Sequence, residues 1–491
     1  MSGLREEHEI GLDERGRLRR RSQFLGLRPH PRNNLPEEIM LNILSRLPVE
    51  SVLECRLVCK TWSNLPLLDD NTYFADMHLR RHHRGLLLPH HDQQQHLDHH
   101  HDHDDEYQYH HHNHSNSAAT ASSNKMSFLF QHYKFYYVEY DENDEQSFQK
   151  LGRRIKLPSP RNFGTPVGSC NGLICLSKRY SKSTFFVDDP VYICNPITRE
   201  YVTLPRCCVM SHGNYRNVRL VHGFGYHPFT NEYKVVRIYY CRNQRPVVGH
   251  VQVYTLGSGS GWRNKGETTH ILQLTFRSNG ALFNGALHWL SHESNIVAFD
   301  LAAEEFHLLP TPPFSYPKWS NDSTLWMLGG SLCLLHETSY FSSDIWLLKK
   351  NDQKESSSTS SYYDMKGGKE YQTWSWSREF SVELKSMNLN YQPFALTKSG
   401  EIIFLHGGKI IVLYDPKTAT SKEVGNVNNT WSAAVLMSHF STFVSLKALG
   451  ENAKIIGSAD EDSDTKSSKM NRSFKKKRSI KRKRSIHLGQ P

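Results

Sequence analysis

Two hydrophobic periodicities divide this chain. Between Leu35 and Val58, apolar residues recur at helical spacing: Ile39, Met40, Ile43, Leu44 and Leu47, then Val52, Leu53, Leu57 and Val58. That spacing predicts short helices with one apolar face each. Pro36 has its φ preset for a first helical turn, and Glu37 and Glu38 sit where the positive end of the helix dipole favours carboxylates. Pro48 stops the first helix, because it lacks an amide hydrogen and disfavours helix in the residue before it. A second helix is expected to begin near Val49-Glu50-Ser51. So few helical residues bury little surface, and an exposed apolar face on them would prefer a partner. An ordinary helical hairpin packed on its own domain is the competing reading.

From about Phe128 to Leu446 the pattern changes. Short apolar runs alternate with turn residues, which predicts strands. A glycine followed by an apolar run recurs, then a second run ending in Asn or Asp, a turn, and a run ending in Leu-Pro. One copy is Asn171–Leu176, Val191–Asn195 and Tyr201–Pro205; another is Asn284–Leu290, Ile296–Asp300 and Glu305–Pro310. Partial copies begin at Gly225, Gly330 and Gly400, so the glycines at 172, 225, 285, 330 and 400 stand about 45 to 70 residues apart. Strand–turn–strand units at a period near fifty are what propeller blades require. A blade cannot bury both faces alone, so several must stack around an axis. The expected fold class is an α+β multidomain chain: a small all-α module, then an all-β, propeller-like domain. An irregular β-sandwich competes with it, and the blade count stays open.

These segments carry a resemblance. Leu35, Pro36, Glu38, Ile39, Ile43 and Leu44, then Leu47, Pro48, Val49 and Leu53, then Arg56, Val58, Cys59, Lys60 and Trp62 resemble an F-box. GSCNGLICL with CNPITREYVTLP, GFGYHPFTNEYKVVRI, and NGALHWL with IVAFDLAAEEFHLLP resemble the F-box-associated region of the large plant F-box family, related to kelch-type propellers. The fit fades after about Lys349. The resemblance implies docking on a SKP-family adaptor, and through it a cullin, through residues drawn mostly from Leu35, Pro36, Ile39, Leu47, Pro48, Val49 and Leu53. It implies that Val58 and Trp62 pack internally. It also implies a protein target on the β-domain, and a non-catalytic substrate receptor of an SCF-type ubiquitin ligase.

Charge and composition add boundaries. Eleven of the 60 basic residues lie within 466–491, where there is no acid, leaving 49 to balance the 49 acidic residues elsewhere. The run Lys475, Lys476, Lys477, Arg478, Lys481, Arg482, Lys483 and Arg484 reads as a nuclear localisation signal, so nucleus, with cytoplasm as a second location, is the expected compartment. Its near-lack of aromatics argues against base-stacking readout of nucleic acid. The expected division is a basic disordered stretch at 1–33, F-box helices at 34–76, a His/Asp-rich linker at 77–126, the β-domain at 127–446 with a polar insert at 349–368, and a disordered basic tail at 447–491. The linker's histidines suit metals chemically, but a defined site needs ligands held by a fold. No secretory signal and no membrane span is visible.

Nine cysteines, without paired C-x-x-C spacing, read as reduced thiols. Cys170 and Cys175 read as small buried residues rather than zinc ligands. His222, His227 and His288 read as packed or surface histidines. No nucleophile elbow, HExxH or P-loop pattern appears in a credible setting. No cofactor, metal or catalytic residue is therefore expected. The alternative function is a nuclear nucleic-acid-associated protein contacting through the basic tail; further alternatives are an enzyme on a propeller, or an F-box protein acting without a ligase.

Overall fold

The structure, a computed structural model, describes residues 35–58, 72–87, 125–131, 135–144, 148, 153–155, 163–182, 185–207, 218–241, 244–273, 279–313, 323–339, 342–351, 373–383, 391–426 and 435–456. The chain divides into two units, Met1–Leu44 and Ser45–Pro491. In the first, helix α1 (Glu37–Leu44) starts as its prolines and acids predict. The amides of Ile39 and Met40 both donate to the Pro36 carbonyl, at 3.0 and 3.1 Å. Met40, Leu41 and Leu44 are buried, whereas Leu35, Ile39 and Ile43 are exposed. The helix is thus apolar on two sides, not the single face its spacing suggested.

The second unit opens with α2 (Val49–Cys55), which follows Pro48, and continues with α3 (Thr72–Leu87). The remaining described residues form six antiparallel sheets. The first holds β1 (Lys125–Gln131), β2 (Phe135–Asp141), β3 (Arg153–Ile155) and, beside β1, β24 (Val435–Ser438) from the far end of the chain. The second holds β4 (Phe163–Cys170), β5 (Leu173–Lys182), β6 (Phe185–Asn195) and β7 (Glu200–Thr203), with β25 (Lys454–Ile455) added outside β7. The third comprises β8 (Val218–His227), β9 (Glu232–Cys241), β10 (Gly249–Thr255) and β11 (Trp262–Thr268). The fourth comprises β12 (Ala281–Phe283), β13 (Ala286–Leu290), β14 (Ile296–Asp300) and β15 (Phe306–Leu309). The fifth comprises β16 (Thr324–Leu328), β17 (Ser331–Ser339), β18 (Ser342–Lys350) and β19 (Trp374–Glu383). The sixth comprises β20 (Tyr391–Leu396), β21 (Ile402–His406), β22 (Ile410–Asp415) and β23 (Thr420–Asn426). Strands β4, β8, β12, β16, β20 and β24 touch in a closed ring. This is a six-bladed propeller, closed by pairing β24 with β1.

One apolar cluster fills each of the six blade interfaces. The middle strands serve two interfaces at once, because successive side chains point to opposite faces. Leu173 and Cys175 of β5 face the third blade, and Ile174 and Leu176 face the first. Ile402 and Phe404 of β21 face the fifth blade, and Ile403 and Leu405 face the first. Both faces are dry, which is why these strands read as continuous apolar runs. A one-residue register slip would exchange the two sets.

The turn signals have local causes. Gly172, Gly285, Gly330 and Gly400 occupy turns between first and second strands, with φ of 80°, 69°, 82° and 90°. Gly225 breaks the expected series. It lies inside β8, where an added Cβ would meet Leu282 at 2.6 Å and Leu301 at 2.9 Å, so it allows close approach of the next blade. Where a third strand ends in Asn or Asp, that side chain caps the turn that follows. Asn195 Oδ1 accepts from the Ile197 amide, Asp300 Oδ1 from Ala302 and Ala303, and Asp415 Oδ1 from Lys417. The Leu-Pro ends have a role the sequence did not disclose. The Pro205 carbonyl accepts the Trp262 indole N–H of the next blade at 2.8 Å, and the Pro310 carbonyl accepts that of Trp376 at 2.8 Å.

Two expected boundaries move. Helix α3 runs to Leu87, into the stretch expected as linker, because Phe74, His78 and Leu79 give it a buried side that its Arg/His-rich composition hides. The β-domain runs to Ile456, because residues 439–456 form a strap across one end of the blades. Asn195 Nδ2 donates to the carbonyls of Thr442 and Val444 at 3.0 and 2.7 Å. The Glu200 carboxylate accepts from Ser445 Oγ and the Leu446 amide at 3.0 and 2.6 Å. Glu451 accepts from Tyr254 OH and the Gly257 amide at 3.2 and 2.8 Å. These side-chain bonds leave no hydrophobic period to read. The polar insert lies almost wholly outside the described residues.

Candidate functional site

Leu35, Ile39 and Ile43 stand four residues apart and so share one side of α1 and the turn before it. They are 49 %, 47 % and 43 % exposed. Branched apolar side chains aligned in this way gain nothing from water and make this side a candidate docking face. Pro36, also exposed, ends the row. Ile43 belongs to this face although the sequence reading did not count it among adaptor contacts.

The predicted residues after Leu44 land differently. Pro48 is exposed, and Leu47 and Leu53 are half-buried. Val49 is only 3 % exposed, so it is a packing residue here and not a surface contact. The first residue of α2 points inward, which spacing alone did not reveal. Val58 corrects the opposite expectation: it is 74 % exposed, and Leu57 is 86 % exposed. Trp62 lies outside the described residues, as do Lys475, Lys476, Lys477, Arg478, Lys481, Arg482, Lys483 and Arg484 and most of the His-rich stretch.

The propeller's polar interior is structural. The carboxylate of Glu304 takes Lys234 and Lys265 at 3.0 Å each, and a two-pronged contact from Arg263. This clamp joins β9 and β11 of the third blade to the β14–β15 turn of the fourth. Burial pushes the Glu304 carboxyl up, but the hydrogen bonds from Arg263, Lys234 and Lys265 outweigh it and hold it down at about 2. Arg237 pairs with the buried Asp189 at 3.2 Å and stacks 3.7 Å over the Trp262 ring.

The candidate chemical groups are quiet. Burial pushes the Cys170 thiol up to about 12 and Cys175 well above its ordinary value, so neither is a thiolate near neutrality. Burial pulls His288 down to about 4 and lowers His227. The His227 Nδ1 accepts the Thr230 amide at 3.2 Å, holding a turn. The main-chain carbonyl of His222 accepts the Trp289 indole N–H at 3.3 Å, within the core between blades. Among the described residues, no three His, Cys, Asp or Glu side chains are grouped to hold a metal ion. No described helix is long and apolar enough to cross a membrane.

In each antiparallel blade, the first-to-second and third-to-fourth turns lie at one end. The strap crosses that end, at Asn171, Asn195 and Gly257. The second-to-third turns and the connectors between blades lie at the other. There Arg206, Arg245, His292 and Glu293 are exposed.

A helical module with an uncovered apolar side, followed in the chain by a six-bladed propeller, defines a modular, propeller-bearing protein. The F-box domain model matches residues 33–70, and the F-box associated beta propeller domain model matches residues 119–431. The chain therefore belongs to the F-box-associated β-propeller family. Its relatives include F-box protein At3g07870 of Arabidopsis thaliana, 27% identical over 423 residues, covering 80% of this chain and 87% of that protein. The F-box/kelch-repeat protein At3g23880 of the same plant is 24% identical, covering 66% of this chain and 76% of that one. Among solved structures, the six-bladed fucose-binding lectin of Aleuria aurantia matches with 9% identity and a TM-score of 0.29, covering 59% of this chain and 86% of that chain. A score that low bears on nothing beyond itself.

Proposed function

We propose that this protein is the substrate-recognition subunit of an SCF-type ubiquitin ligase. It docks a SKP-family adaptor, and through it a cullin, by its F-box, and holds a protein target on its propeller. The observation that carries the proposal is the exposed row Leu35, Ile39 and Ile43 on a module that matches the F-box family. The chain itself performs no chemistry in this reading. It raises the effective concentration of a target lysine near the charged conjugating enzyme. The connector end of the propeller, opposite the strap, is the proposed target-facing rim. The basic tail is proposed as a nuclear import signal.

Co-purification with a SKP-family adaptor tests the docking step. Each of Leu35 and Ile39 has about half its side chain left to bury, worth about 1 kcal/mol apiece. The Leu35→Ala/Ile39→Ala double variant should therefore bind roughly thirtyfold more weakly while the propeller stays folded. Failure of the wild-type chain to capture any adaptor would overturn the proposal.

A further inference from the structure

We infer that the strap is a latch for α3, which makes the seating of that helix conditional on a closed propeller. Three observations meet in the strap. First, Phe443 is buried between the blades and α3. The Phe74 ring lies 5.4 Å from it, and the His78 ring meets it edge-on at 5.0 Å. Leu79 joins the same apolar cluster as Val444 and Leu446 of the strap. Phe74 is fully buried.

Second, the strap belongs to the propeller independently of α3. Asn195 and Glu200 of the second blade hold its main chain, Thr442 Oγ1 donates to the Asn171 carbonyl at 2.6 Å, and its end pairs with β7 as β25. It also follows directly on β24, the strand that closes the ring. Third, the same side of α3, one to two turns further along, grips the turn that precedes α2. His78 Nε2 bonds the Leu47 carbonyl at 2.9 Å, Arg81 donates to Ser45 Oγ at 2.5 Å, and His82 Nε2 bonds the Ser45 carbonyl at 3.2 Å.

The physical consequence is an order of assembly. Helix α3 is made early, and its seat is made last. Until β24 has closed the ring and the strap is laid across the second blade, Phe74 and Leu79 lack the strap's part of their cover. A helix of this length is marginal in water without such packing. An incomplete or opened propeller therefore releases α3 and, with it, the Ser45–Leu47 turn. On the proposed function, this ties the placement of Leu47, one of the expected adaptor contacts, to a finished target-binding domain.

Hydrogen exchange on the full chain, with no adaptor present, tests the latch. Phe443→Ala should speed exchange of the amides in 72–87 by about a hundredfold, leaving β12 to β23 unchanged. Phe74→Ala, which leaves the strap intact, should do the same. Phe443→Leu should restore most of the protection. Unchanged exchange of α3 in both alanine variants would overturn the latch. So would an equal loss across all six blades in both, since Phe443 would then be a general core residue. Because the readout needs no adaptor, its failure leaves the docking proposal standing, and failure of adaptor capture leaves the latch standing.

Discussion

Helices α1 and α3 both carry bulky apolar residues, and their fates differ. On α1, Ile39 and Ile43 remain almost half exposed; on α3, Phe74 and Leu79 are buried. Composition does not explain the difference, since α3 is the more polar helix, with Arg80, Arg81, His82 and His83 in a row. Among the described residues, the strap covers the apolar side of α3, while Ile39 and Ile43 on α1 stay exposed. An apolar side on a helix is therefore not by itself a sign of docking; its exposure is what makes the α1 side a candidate.

The widest gap between the two helices should appear in stability. Phe74→Ala should cost about 3–5 kcal/mol of the packing that seats α3. Ile39→Ala should stay within about 0.5 kcal/mol. Denaturant titration followed by proteolysis within 72–87 separates the two; equal costs would erase the distinction between covered and uncovered faces. Inside the propeller, Glu304→Gln should cost about 2 kcal/mol, since it removes a charged partner from Lys234, Arg263 and Lys265. The cost should vanish in acid. Glu304 is held at about 2 when folded, so its contribution is whole above about 4.5 and fades as pH falls towards 2. Trp376→Phe keeps an aromatic ring but removes the second ring of a buried indole together with its bond to the Pro310 carbonyl, so a loss of about 1–2 kcal/mol is expected.

The mildest effect is one of acidity on the strap. His439 begins the strap, buried beside Ser169 Oγ at 2.8 Å and edge-on to Tyr137. Burial pulls its imidazole down to about 4. The unfolded chain takes a proton near 6.5 that the folded chain refuses, so stability is full above about 6.5 and declines as pH falls towards 4. His288 shares that window. Replacing His439 by Gln should remove its share of the decline in melting temperature; an unchanged pH profile would show that the strap is not its site of action.

Much of the propeller was legible because both faces of its middle strands are dry, which writes apolar runs and turn glycines plainly into the sequence. The sixfold closure was not, because β24 lies some three hundred residues from its partner β1. The strap was hidden because Asn195, Glu200 and Glu451 hold it through polar side-chain bonds rather than through a hydrophobic period. At the candidate site, the resemblance named Leu35 and Ile39, which are exposed, and Val49, which is buried, and it expected Val58 to pack internally although Val58 is exposed. Periodicity tells which residues share a side of a helix; it does not tell which side faces the protein.

The two Trp-to-Pro bonds have an optical consequence. Trp262 and Trp376 each reach from one blade to the last carbonyl of the blade before it. An indole that exchanges a protein carbonyl for water changes its emission colour. Separation of the second blade from the third, or of the fourth from the fifth, would therefore shift the chain's own fluorescence without any added label, and single Trp→Phe variants would assign the shift to one seam or the other.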